Sequence, residues 1–364
     1  MTTKITASVF SESVNPVTSF KNRIINGNMV IDQRNAGASV TPTTGQFLVD
    51  RYRTSLSQPS KYSAQQNAGG ITAPAGFTNY LGFTSLSAYS ILASDFFSFV
   101  QPIEGLNFSD LAWGTASAAP VTLSFWVRSS LTGTFGGAFQ NADLSRSYPF
   151  TFAIGASGTW EYKTITILGD TAGTWLTTNG IGLQVRFSLG TGSDRTGPAN
   201  TWATANYNAP NSAVSIVGTN AATFYITGIQ LEKGSTATSF DYRPYGTELM
   251  LCQRYFANLL AAGTDYNIGV TRDSSTATQF VLYAPVTMRA TPTLGVPSGF
   301  GRIVAYDTGF GITVNAVTSM VLLFTANNRI LNIFTGTASY GGQYVYSAYD
   351  TIGATTAMTI SSEL

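Results

Sequence analysis

The chain has 364 residues, of which 44% are hydrophobic, 13% aromatic and only 10% charged, a balance too apolar for a disordered polypeptide. Nineteen basic and 18 acidic side chains leave a net charge of +1, so no long-range field draws it to nucleic acid. Histidine is absent and Cys252 is the single cysteine, which excludes a Ser-His-Asp triad, His-containing zinc sites and an intrachain disulfide.

Thirty-six Gly, 13 Pro and only five Lys disfavour helix, while β-branched and aromatic residues favour strands. The opening segment, MTTKITASVFSESVNPVTSF, lacks the basic and apolar regions of a secretory signal. No uninterrupted apolar run approaches the ~20 residues of a membrane span. A soluble product made in the cytoplasm, without membrane insertion, is expected. Residues 1–25 read as an extended arm, with too few apolar residues for a core. An Asn26-Gly27 turn then separates two short apolar segments.

Residues 36–120 hold short strands and long loops, including the run Phe96–Val100. The clearest strands follow. In Val121–Arg128, Val121, Leu123, Phe125 and Val127 share one face, and Thr122, Ser124, Trp126 and Arg128 the other. Ile181–Leu189 alternates in the same way, and Thr164–Leu168 and Phe224–Leu231 complete the set, with Gly228 as a bulge. Gly133–Gly137 reads as a loop, because neither a basic residue nor a helix start follows to make it a phosphate cradle. Many short strands separated by turn residues indicate a sandwich or jelly roll. Domains are expected over 26–245 and 246–364. At their junction, Thr247–Leu260 reads either as a helix capped by Thr247 or as a short turn before a buried strand through Cys252–Phe256. Strands at Gln279–Tyr283, Arg302–Tyr306, Met320–Thr325 and Tyr344–Ala348 are expected in the second, smaller domain.

A glycan-degrading enzyme would need two converging carboxylates. Asp95 with Glu104 or Asp110, and Asp143 with Asp170, are the pairs to consider, and spacing alone brings none together. No catalytic residue, metal site or cofactor is assigned. The aromatic residues offer a better lead. Trp126 and Arg128 lie opposite the apolar set of their strand, and Gln184 and Arg186 take the equivalent phase of theirs. Aromatic rings stack on sugar C–H faces while amides and guanidinium groups bind hydroxyls. Trp126, Arg128, Gln184 and Arg186 are therefore the candidate glycan-binding residues; the alternative packs Trp126 under a loop or against another subunit. Trp160, Trp175 and Trp202 are weaker candidates.

The stretch FKNRIINGNMVIDQRNAGASVTPTTGQFLVDRY (20–52) resembles the opening of a group of bacteriophage virion proteins, the tail fibre or carbohydrate-binding tail proteins. Three further segments agree: LSFWVRSSLTGTF (123–135), FYITGIQLEKGSTATSFDYRPYGTELMLCQRYF (224–256) and PVTMRATPT (285–293). The terminal Ile-Ser-Ser-Glu-Leu is similar to the family's closing strand. The resemblance implies an all-β chain: a jelly-roll β-sandwich like a carbohydrate-binding module, then a smaller C-terminal β-sandwich domain. It further implies a homotrimeric virion appendage, of tail-fibre or spike type, for host attachment. Residues 1–25 would then attach to other virion proteins, and a host cell-surface glycan becomes a partner. A fibrous head decoration or a virion-borne glycan-degrading enzyme are the alternatives. The segment FYITGIQLE (224–232) resembles the last strand of such modules, many of which carry Asp at the position of Thr227, and the Thr here departs from that pattern, so the resemblance implies no calcium contact at this position.

Overall fold

A computed structural model describes residues 20–260, 281–295 and 357–364 in full, with the backbone of several strands between 265 and 350. In chain order the strands of the first unit are β1 (Phe47–Val49), β2 (Tyr52–Leu56), β3 (Tyr62–Gln66), β4 (Leu81–Ser85), β5 (Phe96–Glu104), β6 (Val121–Ser129) and β7 (Gly133–Gln140). They continue with β8 (Ser147–Ile154), β9 (Glu161–Ile167), β10 (Ile181–Thr191), the short β11 (Thr196–Gly197) and β12 (Ala209–Pro210), and β13 (Thr223–Lys233). A six-stranded sheet, β1-β2-β5-β10-β7-β8, faces a five-stranded sheet, β3-β4-β13-β6-β9, in a jelly-roll β-sandwich.

Alternation builds the core. Val121, Leu123, Phe125 and Val127 of β6 point inward and are fully buried, as are Leu183, Val185, Phe187 and Leu189 of β10. Phe99 stacks on Phe83 at 4.7 Å and on Phe187 at 5.1 Å, joining the two sheets. Each buried Phe contributes about 1.5–3 kcal/mol relative to exposure, so this layer carries much of the domain's stability.

The segment after Phe20 belongs to the folded body, which corrects the expectation of an arm reaching to residue 25. Asn22, Ile24 and Ile25 are buried. Asn22 Oδ1 accepts the Ile24 and Leu231 N–H groups, and its Nδ2 donates to the Ile229 carbonyl. Gly27 lies so close to the Ile229 carbonyl that a Cβ would stand 2.1 Å from its oxygen. Residues 1–19 lie outside the described residues.

Two other expectations change. Gly133–Gly137 is not a loop but the first part of β7, paired along its length with β8. The helix α1 spans Tyr245–Gln253 behind Pro244, so Thr247 is not its cap, and β14 (Phe256–Leu260) follows at once. Arg254 and Tyr255 between them anchor to Glu104. Tyr255 packs with Cys252, Ile25 and Ile31 in a small apolar cluster.

The C-terminal part continues with β15 (Asp265–Tyr266), β16 (Val270–Ser274), β17 (Ala277–Tyr283), β18 (Thr293–Gly295), β19 (Arg302–Tyr306), β20 (Ile312–Ala326), β21 (Ile330–Thr337), β22 (Tyr349–Asp350) and β23 (Met358–Ser361). These form a three-stranded sheet, β14-β23-β18, and a seven-stranded sheet, β15-β22-β19-β20-β21-β17-β16. The strand expected at Tyr344–Ala348 lies outside the described residues.

Candidate functional site

Trp126 stands on the outer face of the five-stranded sheet, where the alternation of β6 puts it. It pairs in register with Tyr162 of the edge strand β9, and Ser124 pairs with Thr164. The Trp126 and Tyr162 rings are 5.4 Å apart, tilted by 47°, and Tyr162 is 44% exposed. These four side chains floor a groove of about 690 Å³.

Two loops make its wall. Phe77 comes from the loop between β3 and β4; Phe240 and Tyr242 come from the segment after β13. The three rings meet mutually at 4.8–5.6 Å. Tyr242 Oη donates to the Gly76 carbonyl at 2.7 Å, tying one loop to the other. Thr227 Oγ1 donates to the Asn79 carbonyl at 2.7 Å and holds the first loop down on β13. Its neighbour Gly228 has φ 63°, and the register of β13 against β6 shifts there, the bulge that the sequence suggested. Thr238 and Ser239 add hydroxyls, and among the described residues no charged side chain lines the groove.

The four candidate glycan-binding residues do not converge. Trp126 lines the groove. Arg128, on the same face, pairs in register with Tyr225, a member of the Tyr80–Trp160–Tyr225 ring cluster, and stands outside the groove lining. Gln184 and Arg186 belong to β10 in the opposite sheet. Phase tells which side of a strand faces away from the core, but the outward faces of two packed sheets point in opposite directions. Gln184 Nε2 donates to the Asn141 carbonyl, and Arg186 to Gln140 and Ser98, all on that far side.

The weaker tryptophans are structural. Trp175 and Trp202 meet Trp113 edge to face at 4.9 and 5.2 Å. Trp160 Nε1 donates to the Thr72 carbonyl. The acids considered for paired catalysis are each engaged separately. Asp95 accepts from Ser57, Tyr89 and the Leu92 N–H. Glu104 accepts from Arg254, Asp110 from Arg23, Asp143 from Ser145 and Asp170 from Arg146. Sequence reasoning missed Phe77, Phe240 and Tyr242, which lie in loops without periodicity.

No family model matches the chain, and no curated protein does. Among solved structures, a CBM4 module is similar at 15% identity and a TM-score of 0.29, over 57% of this chain and 98% of its own. A family 11 carbohydrate-binding module from Clostridium thermocellum, in complex with a β-1,3-1,4-mixed-linked tetrasaccharide, is similar at 13% identity and a TM-score of 0.27, over 52% and 92%. TmCBM61, in complex with β-1,4-galactotriose, follows at 10% identity and 0.26, over 50% and 88%.

Proposed function

We propose that the chain is a structural protein of a bacteriophage virion, a homotrimeric tail-fibre or spike appendage whose jelly roll holds an uncharged stretch of host-surface glycan. One observation carries the binding part. The groove joins a half-buried Trp126 and an exposed Tyr162 on a floor of hydroxyls, beneath a wall of three rings, without a charged side chain. Rings offer platforms to sugar C–H faces, and hydroxyls and backbone groups satisfy sugar hydroxyls. The virion part rests on the resemblance of residues 20–52 and 224–256 to tail proteins. Trimer formation is supported by a composition of 44% hydrophobic and 10% charged residues, which suits association through apolar and hydroxyl-rich surfaces. A single groove binds weakly, and three copies per fibre raise avidity by about 10²–10⁴.

The test is retention of the chain on neutral host-surface polysaccharide. The wild type is held and releases the polymer uncut, whereas Trp126→Ala and Tyr162→Ala elute freely while remaining folded. Shortening of the polymer would assign an enzyme instead. Light scattering reads the trimer, and labelling of the chain in intact particles reads its place; label spread over the capsid would make it a head decoration.

A further inference from the structure

The outer face of the six-stranded sheet, opposite the groove, gathers three arginines. Arg53 of β2 and Arg186 of β10 both stand in register with Val100 of β5, the strand between them. Their side chains therefore rise from one cross-strand row, two strand spacings or about 10 Å apart. Arg186 is only 4% exposed. Its Nε donates to Gln140 Oε1 at 2.9 Å and its Nη1 to Ser98 Oγ at 2.6 Å, both neutral acceptors. Arg195 ends the turn Ser193–Arg195, with its guanidinium carbon 6.0 Å from the centre of the Phe96 ring. Phe96 precedes Ser98 by two positions on β5 and so shares its face. Burial, with the like charges of Arg53 and Arg195, pushes the Arg186 guanidinium down to about 9, which leaves it protonated at neutral pH.

Elsewhere the fold pairs its buried cations. Arg51 meets Glu363, Arg146 meets Asp170 and Arg243 meets Glu248. Among the described residues no carboxylate pairs with Arg53, Arg186 or Arg195. A buried cation beside two like charges is costly to the fold, and an anion brought to the cluster relieves that cost. Guanidinium forks match oxyanions in geometry. We propose that the face formed by Arg53, Arg186 and Arg195 binds an oxyanion, either free or carried by an acidic sugar whose ring lies against Phe96. This site lies on the opposite sheet from the Trp126 groove and does not depend on it.

The experiment compares thermal melts and calorimetric titrations of the full chain at fixed ionic strength. The probes are inorganic phosphate, trigalacturonate and neutral galactotriose, each against chloride. An oxyanion probe raises the melting temperature of the wild type above that in chloride. In the Arg53→Gln/Arg195→Gln variant, where both changed residues are only half-buried, the affinity for that probe falls at least tenfold. Any response to galactotriose reports the groove and is unchanged in this variant. Response to trigalacturonate alone identifies an acidic sugar as the source, and response to phosphate alone identifies the free ion; both uphold the oxyanion site. A wild type that responds to neither, or a double variant that responds undiminished, overturns it.

Discussion

Gly228 lies directly beneath the ring of Phe77, so close that a Cβ there would stand 2.6 Å from Phe77 Cζ. With φ at 63°, the position also favours glycine on backbone grounds. The bulge thus does two things: it re-aims β13 and lets the loop carrying the groove wall lie flat on the sheet. Gly228→Ala should push Phe77 outward and cost about 1–3 kcal/mol, the usual range for strained backbone positions. Urea denaturation reads the loss, and polysaccharide retention should fall even where the variant is fully folded. A variant that binds and melts as the wild type does would separate Phe77 from the site.

Glu363, next to the last residue, accepts hydrogen bonds from Arg34 and from Arg51. Arg51 is 1% exposed, and its guanidinium lies 3.4 Å from the centre of the Tyr255 ring. Removing the carboxylate leaves that cation buried without a counter-charge, which costs about 3–5 kcal/mol. Glu363→Ala should lower the urea midpoint accordingly, and Glu363→Gln, which keeps an acceptor, should fall between. The C-terminal tail thereby ties Arg34, in the segment before β1, to Arg51, between β1 and β2.

Gly137 sits in β7 where a Cβ would stand 1.9 Å from the Arg186 carbonyl oxygen. That atom is backbone of the neighbouring strand, so it cannot swing aside. Gly137→Ala should cost about 3 kcal/mol, the upper end of ordinary overpacking, and broaden the unfolding transition of the sandwich. A cost below that of an exposed surface change would mean that β7 and β10 separate more easily than their pairing implies.

The strands of the sandwich are legible in the sequence wherever alternation is clean. Val121–Arg128 and Ile181–Leu189 lie inside β6 and β10, which extend by one and two residues. Gly133–Gly137 is not legible, because glycine in a strand resembles a loop unless one knows that Arg186, Phe150 and Pro210 press on that backbone. The site is half legible. Trp126 announces itself as a large ring in the polar phase of its strand. Phe77 and Tyr242 give no such signal; their meeting depends on two loops closing over β13, and nothing local encodes that. The phase of Arg186 gives its outward direction but not its distance from Trp126, since phase carries no information about which sheet a strand joins.

Asp50 sets the pH response. It is 1% exposed, and burial, opposed in part by hydrogen bonds from Gln33 and by Arg34, raises its carboxyl to about 6 from an ordinary 3.8. Glu363 faces it from the C-terminal tail and acts in the same direction as burial. The folded state therefore holds this proton more tightly than the unfolded chain does. Below about pH 4 both states are protonated and the group has no effect on stability. Between about pH 4 and 6 the unfolded chain releases the proton first, so stability falls as pH rises. The fall amounts to about 3 kcal/mol in all, because each tenfold difference in proton affinity between the two states is worth about 1.4 kcal/mol. Above pH 6 both are ionised and the curve is flat. Asp95, Asp110, Asp143 and Glu161 lie below their ordinary values of 3.8 for Asp and 4.5 for Glu, so their contribution is lost as pH falls through and below those values, at the acid end of that window and beyond it. Urea melts from about pH 3.5 to 8 should show greatest stability at about pH 4–5 followed by a decline to pH 6. Asp50→Asn should remove the decline, whatever its absolute stability. A wild-type profile that is level or rising between about pH 4.5 and 6 would mean that Asp50 ionises freely in the folded chain.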